Sequence, residues 1–203
     1  INAPKQLLGI HVYEGGQVIT AFRPDATAVQ IKSKNGKLAD DMEKINDRGF
    51  FALYLDKEKY TKYTYVVTYG DGTVIEIEDP YSFASQISEV DCYLFGEGKH
   101  YEIYEKLGAH PMTIDGVDGT YFAVWAPHAR RVSVVGDFNL WDGRVHQMNM
   151  LETSGVYELF IPGVKPGDIY KYQILTREGE ILHKADPYAT SAQLRPETAS
   201  MVA

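Results

Sequence analysis

Residues 136–144 read Gly-Asp-Phe-Asn-Leu-Trp-Asp-Gly-Arg. The glycines, the asparagine and the Asp-Gly pair mark a turn, and Trp141 stands in the middle of it. An indole set outward from a turn offers a flat apolar face with one N–H donor on its edge. The apolar face of a pyranose ring stacks on such a plate. Asp137, Asn139 and Arg144 in the same stretch, and Lys171 farther on, supply hydrogen-bonding groups for hydroxyls. Burying about 100 Å² of apolar surface yields about 2.5 kcal/mol, while a millimolar site needs about 4.1 kcal/mol. The polar neighbours must therefore contribute, or a polymer with many ends must raise the effective concentration. The competing reading makes the ring a lid folded back on the end of its own domain, since tryptophan is mostly buried.

An internal repeat favours the outward reading. "LGIH" at 8–11 matches "LGAH" at 107–110, and "VITAFRPDATAVQI" at 18–31 matches "YFAVWAPHARRVSV" at 121–134. "YTYVV" at 63–67 matches "YKYQI" at 170–174, and "EDPYS" at 78–82 matches "ADPYA" at 185–189. Positions kept in both copies are expected to pack. Tyr63 and Tyr65, like Tyr170 and Tyr172, fall two apart on a strand and share a face, which is read as core. Trp125 matches Phe22 and is also read as core. His11 and His110 are read as satisfied structural histidines, and "DPY" as a strand terminator. Trp141 has no counterpart, because the first copy has "SKNGKLADD" there, and Thr64 takes the place of Lys171. The fold is therefore expected not to need either residue.

Each copy carries short runs rich in β-branched and aromatic residues, separated by turn signals. Asp71-Gly72 marks one hairpin, and Pro162-Gly163 with Pro166-Gly167 bracket a longer hairpin loop. About six strands in ~80 residues predict a sandwich. The fold class expected is all-β: two tandem immunoglobulin-like β-sandwich modules joined by a short linker that is helical or turns. The boundaries read as a first module over 1–88, a linker over 89–107, a second module over 108–195 and a lead-in over 196–203. In the linker, Tyr101, Tyr104 and Leu107 recur every three residues and predict a short helix or 3₁₀ turn.

Composition excludes several functions. A net charge of −8 argues against a nucleic-acid partner. No apolar run approaches the ~18 residues of a membrane span. The six histidines form no metal-ligand spacing with one another or with the one cysteine, Cys92, which is read as a buried spectator thiol. There is no GxSxG elbow and no Walker loop. "FGEG" at 95–98 is too short for a nucleotide site, and no pair of carboxylates is marked out for glycoside hydrolysis. One cysteine fits a reducing compartment. The chain opens on Ile1 and is expected to be a piece of something longer.

"YLFGEGKHYEIYEKLGAH", "FAVWAPHARRVSVVGDFNLWDGR", "SGVYELFIPG", "YKYQI", "KADPYA" and "RPETAS" together resemble the N-terminal region of bacterial 1,4-α-glucan (glycogen) branching enzymes. The likeness runs from about residue 90 to the end. The preceding residues resemble the additional N-terminal module of some of these enzymes, through the repeat and "DPYSF". The resemblance implies that the second module belongs to carbohydrate-binding family 48. In glycogen-binding regulatory relatives, the tryptophan of the "FNLW"-like loop and the lysine of the "YKY"-like strand contact glucan, which points to Trp141 and Lys171. A second aromatic of those relatives falls near Ile181, where this chain is aliphatic. The family cleaves α-1,4 bonds and rejoins the chain through α-1,6 bonds, using an aspartate and a glutamate on a (β/α)₈ barrel expected after Ala203. No catalytic residue carries over to this chain, and no cofactor is expected.

The expected function is thus non-catalytic. A cytoplasmic branching-enzyme fragment binds or positions α-glucan or glycogen through Trp141, Lys171, Asn139, Asp137 and Arg144, docks on the barrel of its own polypeptide, and influences transferred chain length. The alternative is a pair of docking modules that support the barrel or a dimer without touching sugar. The aliphatic residue at Ile181 favours that alternative.

Overall fold

The computed structural model describes residues 2–99, 105–194 and 196–203. The chain divides into two compact units, Lys5–Ser82 and Phe83–Ala203 with Ile1–Pro4. Each is a sandwich of two antiparallel sheets, and one α-helix occurs among the described residues.

The first unit contains β1 Gly9–Tyr13, β2 Gly16–Phe22, β3 Ala26–Ser33, β4 Ala39–Asp41, β5 Glu43–Lys44, β6 Phe50–Leu55, β7 Tyr63–Tyr69 and β8 Val74–Glu78. Its sheets run β1-β2-β6-β5 and β4-β3-β7-β8. Strand alternation sends Ile19, Phe51, Ile31, Tyr65 and Val67 into one core. Gly72, at φ +86°, closes the β7–β8 hairpin at the expected Asp-Gly.

The second unit opens with α1, Glu89–Gly96. Ser88 caps it: its Oγ accepts the Asp91 N–H while the Asp91 carboxylate takes the Ser88 N–H. Then come β9 Gly108–Ile114, β10 Val117–Trp125, β11 Ala129–Gly136, β12 Asn149–Met150, β13 Val156–Pro162, β14 Ile169–Thr176, β15 Ile181–Lys184, β16 Ser191–Ala192 and β17 Ser200–Met201. One sheet runs β12-β13-β10-β9 and the other β11-β14-β17-β16, with β15 also pairing β14. Inward residues such as Phe122, Leu159, Val134 and Tyr170 are fully buried, and Phe122 meets Tyr170 edge-on at 4.9 Å. Phe83, Ile87, Cys92 and Leu107 cover the outer face of β10 and β13. Burial pushes the Cys92 thiol pKa up, which leaves it inert. The expected helical stripe at Tyr101 and Tyr104 lies outside the described residues.

Three expectations need correction. Trp125 is 49% exposed. It shares the outer face of β10 with Tyr121 and Ala123, and the intervening Phe122 and Val124 point inward. It leans on Phe95 of α1, ring to ring at 5.6 Å. The Pro-Gly-bracketed loop is no hairpin, because β13 and β14 belong to different sheets and the loop crosses between them. Of the two histidines, His110 Nε2 meets the Leu107 carbonyl at 2.8 Å, but His11 Nε2 is enclosed without a hydrogen-bond partner.

The repeated tyrosines and "DPY" form a single device that occurs in both units. Tyr63 and Tyr65 donate to Asp79 Oδ2 at 2.6 and 3.1 Å, and Tyr170 and Tyr172 donate to Asp186 Oδ2 at 2.7 and 3.1 Å. Each aspartate also takes the N–H of the DPY tyrosine, Tyr81 or Tyr188. That tyrosine's carbonyl lies against a glycine of the first strand, Gly9 at φ +93° or Gly108 at φ +103°. A side chain at Gly108 would be strained by φ and would sit 3.3 Å from the Tyr188 oxygen.

Burial raises the Asp79 carboxyl above its ordinary pKa, against the opposing pull of the Tyr63 hydroxyl, the Tyr81 N–H and the Arg23 charge. A carboxyl raised on folding favours the folded state most when protonated. Its contribution is full below the ordinary carboxylate pKa and is lost as pH rises through the raised value. Urea unfolding of the first unit, followed by tyrosine circular dichroism across the acid range, is therefore expected to show a fall in stability with rising pH that Asp79→Asn removes.

Candidate glucan-facing surface

The turn that carries Trp141 is built from its own side chains. β11 ends at Gly136, a short 3₁₀ turn follows at Asp137–Asn139, and Leu140 and Trp141 are both left-handed, at φ 54° and 59°. Asn139 makes this shape possible. Its Oδ1 accepts the Gly136 N–H at 3.0 Å, and its Nδ2 donates to the Val134 carbonyl at 2.8 Å and to His146 Nδ1 at 2.9 Å. Trp141 N–H returns to the Gly136 carbonyl at 2.9 Å. The indole N–H donates to Asp137 Oδ1 at 2.8 Å, which fixes the ring against its own turn. The ring is half-buried. Arg144 closes on Asp142 through Nε and Nη2, at 3.0 and 2.7 Å, and holds the Asp142 carboxyl below its ordinary pKa.

The turn overlies β14. A Cβ at Gly143 would fall 1.9 Å from Gln173 Oε1, so only glycine lets the turn rest on that side chain. Register and alternation define the face beneath. Lys171 lies opposite Val135, Gln173 opposite Ser133 and His183, and Leu175 opposite Arg131 and Ile181. These residues point away from Tyr170 and Tyr172, which are in the core. Arg131 Nη2 donates to Gln173 Oε1 at 2.8 Å, and Gln173 Nε2 stands 3.4 Å from His183 Nε2. Lys171 Nζ donates to Thr198 Oγ1 at 2.7 Å. Ile181, 55% exposed, ends the face. The result is a shallow polar shelf with an indole at one end and aliphatic side chains at the other.

The five residues singled out from sequence thus divide. Trp141 and Lys171 stand on or beside one face. Asp137 is exposed, but its carboxylate holds the indole. Arg144 is exposed, with its guanidinium turned to Asp142. Asn139 must be corrected: it is buried, and its amide is used inside the turn, so it shapes the loop and is not presented to a ligand. Sequence reading missed Gln173, Arg131 and His183. The first of these was within reach, since a residue two beyond Lys171 on a strand must share its face. The other two needed the register.

The first unit has the same strand with a different face. Thr64, in the place of Lys171, is buried and donates to Glu76 at 2.8 Å; Lys32 pairs with the same Glu76 at 3.3 Å, and Lys34 pairs with Glu78. Its polar groups satisfy one another and no tryptophan stands over them.

Among the described residues no group of three His, Cys, Asp or Glu side chains could hold a metal ion, and no helix is long and apolar enough to cross a membrane. Several solved pullulanases share the architecture at low identity. Pullulanase type I from Bacillus subtilis str. 168, complexed with maltose, is 20% identical with a TM-score of 0.41. The alignment covers 96% of this chain and 26% of that one. Apo pullulanase from Klebsiella pneumoniae is 17% identical with a TM-score of 0.39, covering 96% of this chain and 24% of that one. This chain therefore spans about a quarter of the length of these proteins. Family comparison is more specific. Residues 1–81 match the family alpha-1,4-glucan branching enzyme GlgB, N-terminal domain. Residues 106–189 match the family carbohydrate-binding module 48 (isoamylase N-terminal domain). The repeat, the two sandwiches and both matches make this chain a GlgB-type branching-enzyme N-terminal region: a GlgB N-terminal domain followed by a family 48 carbohydrate-binding module.

Proposed function

We propose that the second module holds α-1,4-glucan on the outer face of β11, β14 and β15, and that the pair of modules performs no chemistry. A glucose ring stacks against the Trp141 indole, whose N–H is already taken by Asp137, so the ring serves as an apolar plate of fixed orientation. Lys171 and Gln173 beside it donate to sugar hydroxyls. The observation that carries the reading is the pairing of a tryptophan the fold does without with an outward polar row that its sister module has closed with ion pairs. In the parent enzyme the shelf feeds or retains chains for a catalytic barrel of the same polypeptide and biases the length of chain transferred. A single free, buried cysteine accords with a cytoplasmic setting.

A second reading is favoured by Ile181. An exposed aliphatic residue ends the shelf where regulatory relatives carry an aromatic one, and Leu140 beside Trp141 is 87% exposed. Such a surface suits protein docking as well as sugar. Affinity electrophoresis in a glycogen gel separates the two readings. The sugar reading expects retardation of the parent chain, and about fivefold weaker retention for Lys171→Met, the loss of one charged hydrogen bond. Free migration of the parent chain would leave docking as the function.

A further inference from the structure

We infer that Thr198 is a positioning residue of the glucan shelf, so that the segment after the module's last long strands belongs to the binding site. The inference rests on the glucan reading given above. Lys171 is the outward residue of β14 closest to the Trp141 turn. An unrestrained lysine there would lose much conformational entropy on gripping a sugar. It is not unrestrained: Nζ donates to Thr198 Oγ1 at 2.7 Å. That contact leaves the ammonium two further N–H donors and leaves the threonine O–H free to donate in turn. Ammonium and hydroxyl then form one polar edge, matched to neighbouring hydroxyls of a pyranose ring.

Thr198 is itself exposed, but the chain around it is anchored. Gln193 N–H bonds the Ala199 carbonyl at 3.0 Å, and Glu197 N–H bonds the Leu194 carbonyl at 3.1 Å. Ala199, Ser200 and Val202 are buried, β17 pairs with the start of β14 at Ile169 and Tyr170, and Ser200 Oγ accepts the Asp186 N–H at 2.8 Å. A hydroxyl held from both sides is a fixed point against which the lysine is set. Because Lys171 touches both this segment and the sugar, occupancy of the shelf and seating of the segment become linked equilibria.

Titration of the full chain with maltoheptaose tests this, with Trp141→Ala as the reference for the site. Thr198→Val is expected to weaken binding about fivefold with an unchanged urea midpoint, and Thr198→Ser to restore it. In a Lys171→Met background Thr198→Val is expected to have no further effect, which a merely structural role would not produce. Parent-like binding by Thr198→Val, or an equal loss in the Lys171→Met background, overturns the inference. If Trp141→Ala binds like the parent, the glucan reading itself has failed. If only the threonine variants are silent, the shelf stands without Thr198.

Discussion

Trp141→Ala is expected to bind maltoheptaose roughly thirtyfold more weakly than the parent and to run almost unretarded in a glycogen gel. Stacking removes about 100 Å² of apolar surface from water, worth about 2.5 kcal/mol, and the half-buried ring offers somewhat less. At about 1.4 kcal/mol per tenfold, a loss of about 2 kcal/mol gives that factor. Little of the change should come from misfolding. The backbone turn is held by Asn139 and by the Trp141 N–H, and alanine keeps the latter. Trp141→Phe is a useful companion. It retains a flat plate but abandons the Asp137 contact, so an intermediate affinity would measure what the fixed orientation contributes. Isothermal titration calorimetry reads both variants, and parent-like affinity for the alanine variant would remove this ring from the site.

The largest loss of stability is expected from Asp186→Ala. The substitution strands two buried tyrosine hydroxyls, Tyr170 and Tyr172, and the Tyr188 N–H. An unsatisfied buried donor costs about 1–3 kcal/mol, so about 4 kcal/mol is expected in all, a large share of a small domain's stability. With a urea slope of about 2 kcal/mol/M the midpoint falls by about 2 M. Both tryptophans, Trp125 and Trp141, lie in the second unit, so indole fluorescence follows that unit alone. Asp186→Asn keeps an acceptor oxygen and is expected to lose less. A midpoint within experimental error of the parent would show that the hydroxyls find water instead.

Much of the fold was legible because the chain is written twice. Comparing copies identified the paired tyrosines as core, and period-two runs separated by Gly and Pro identified strands. What the comparison could not supply was which partner each kept residue meets. "DPY" reads as a strand terminator, yet Asp79 and Asp186 are the buried acceptors that hold the tyrosine pairs, a contact spanning 14–16 residues of chain. Trp125 was misplaced because matching Phe22 reveals only that a large ring recurs, not which face of the strand it takes. Trp141 and Lys171 stood out because they do not recur. Asn139 was misassigned because turn asparagines bind ligands and brace backbones with the same amide, and only the hydrogen-bond geometry tells these apart. Gln173, Arg131 and His183 are assembled by register between β11, β14 and β15, which no single segment encodes.

β15 is a short, fully exposed strand, joined to β14 by a surface loop closed at Thr176 and Glu180. The rows that face solvent, Gln173 with His183 and Leu175 with Ile181, are rungs of this ribbon. Adding two residues to each strand would append another outward rung and about 7 Å of landing area, without disturbing the Tyr170–Asp186 anchor. The reach of the module along a polysaccharide is thus set by one peripheral hairpin, and engineering or natural drift can lengthen or trim it at little risk to folding.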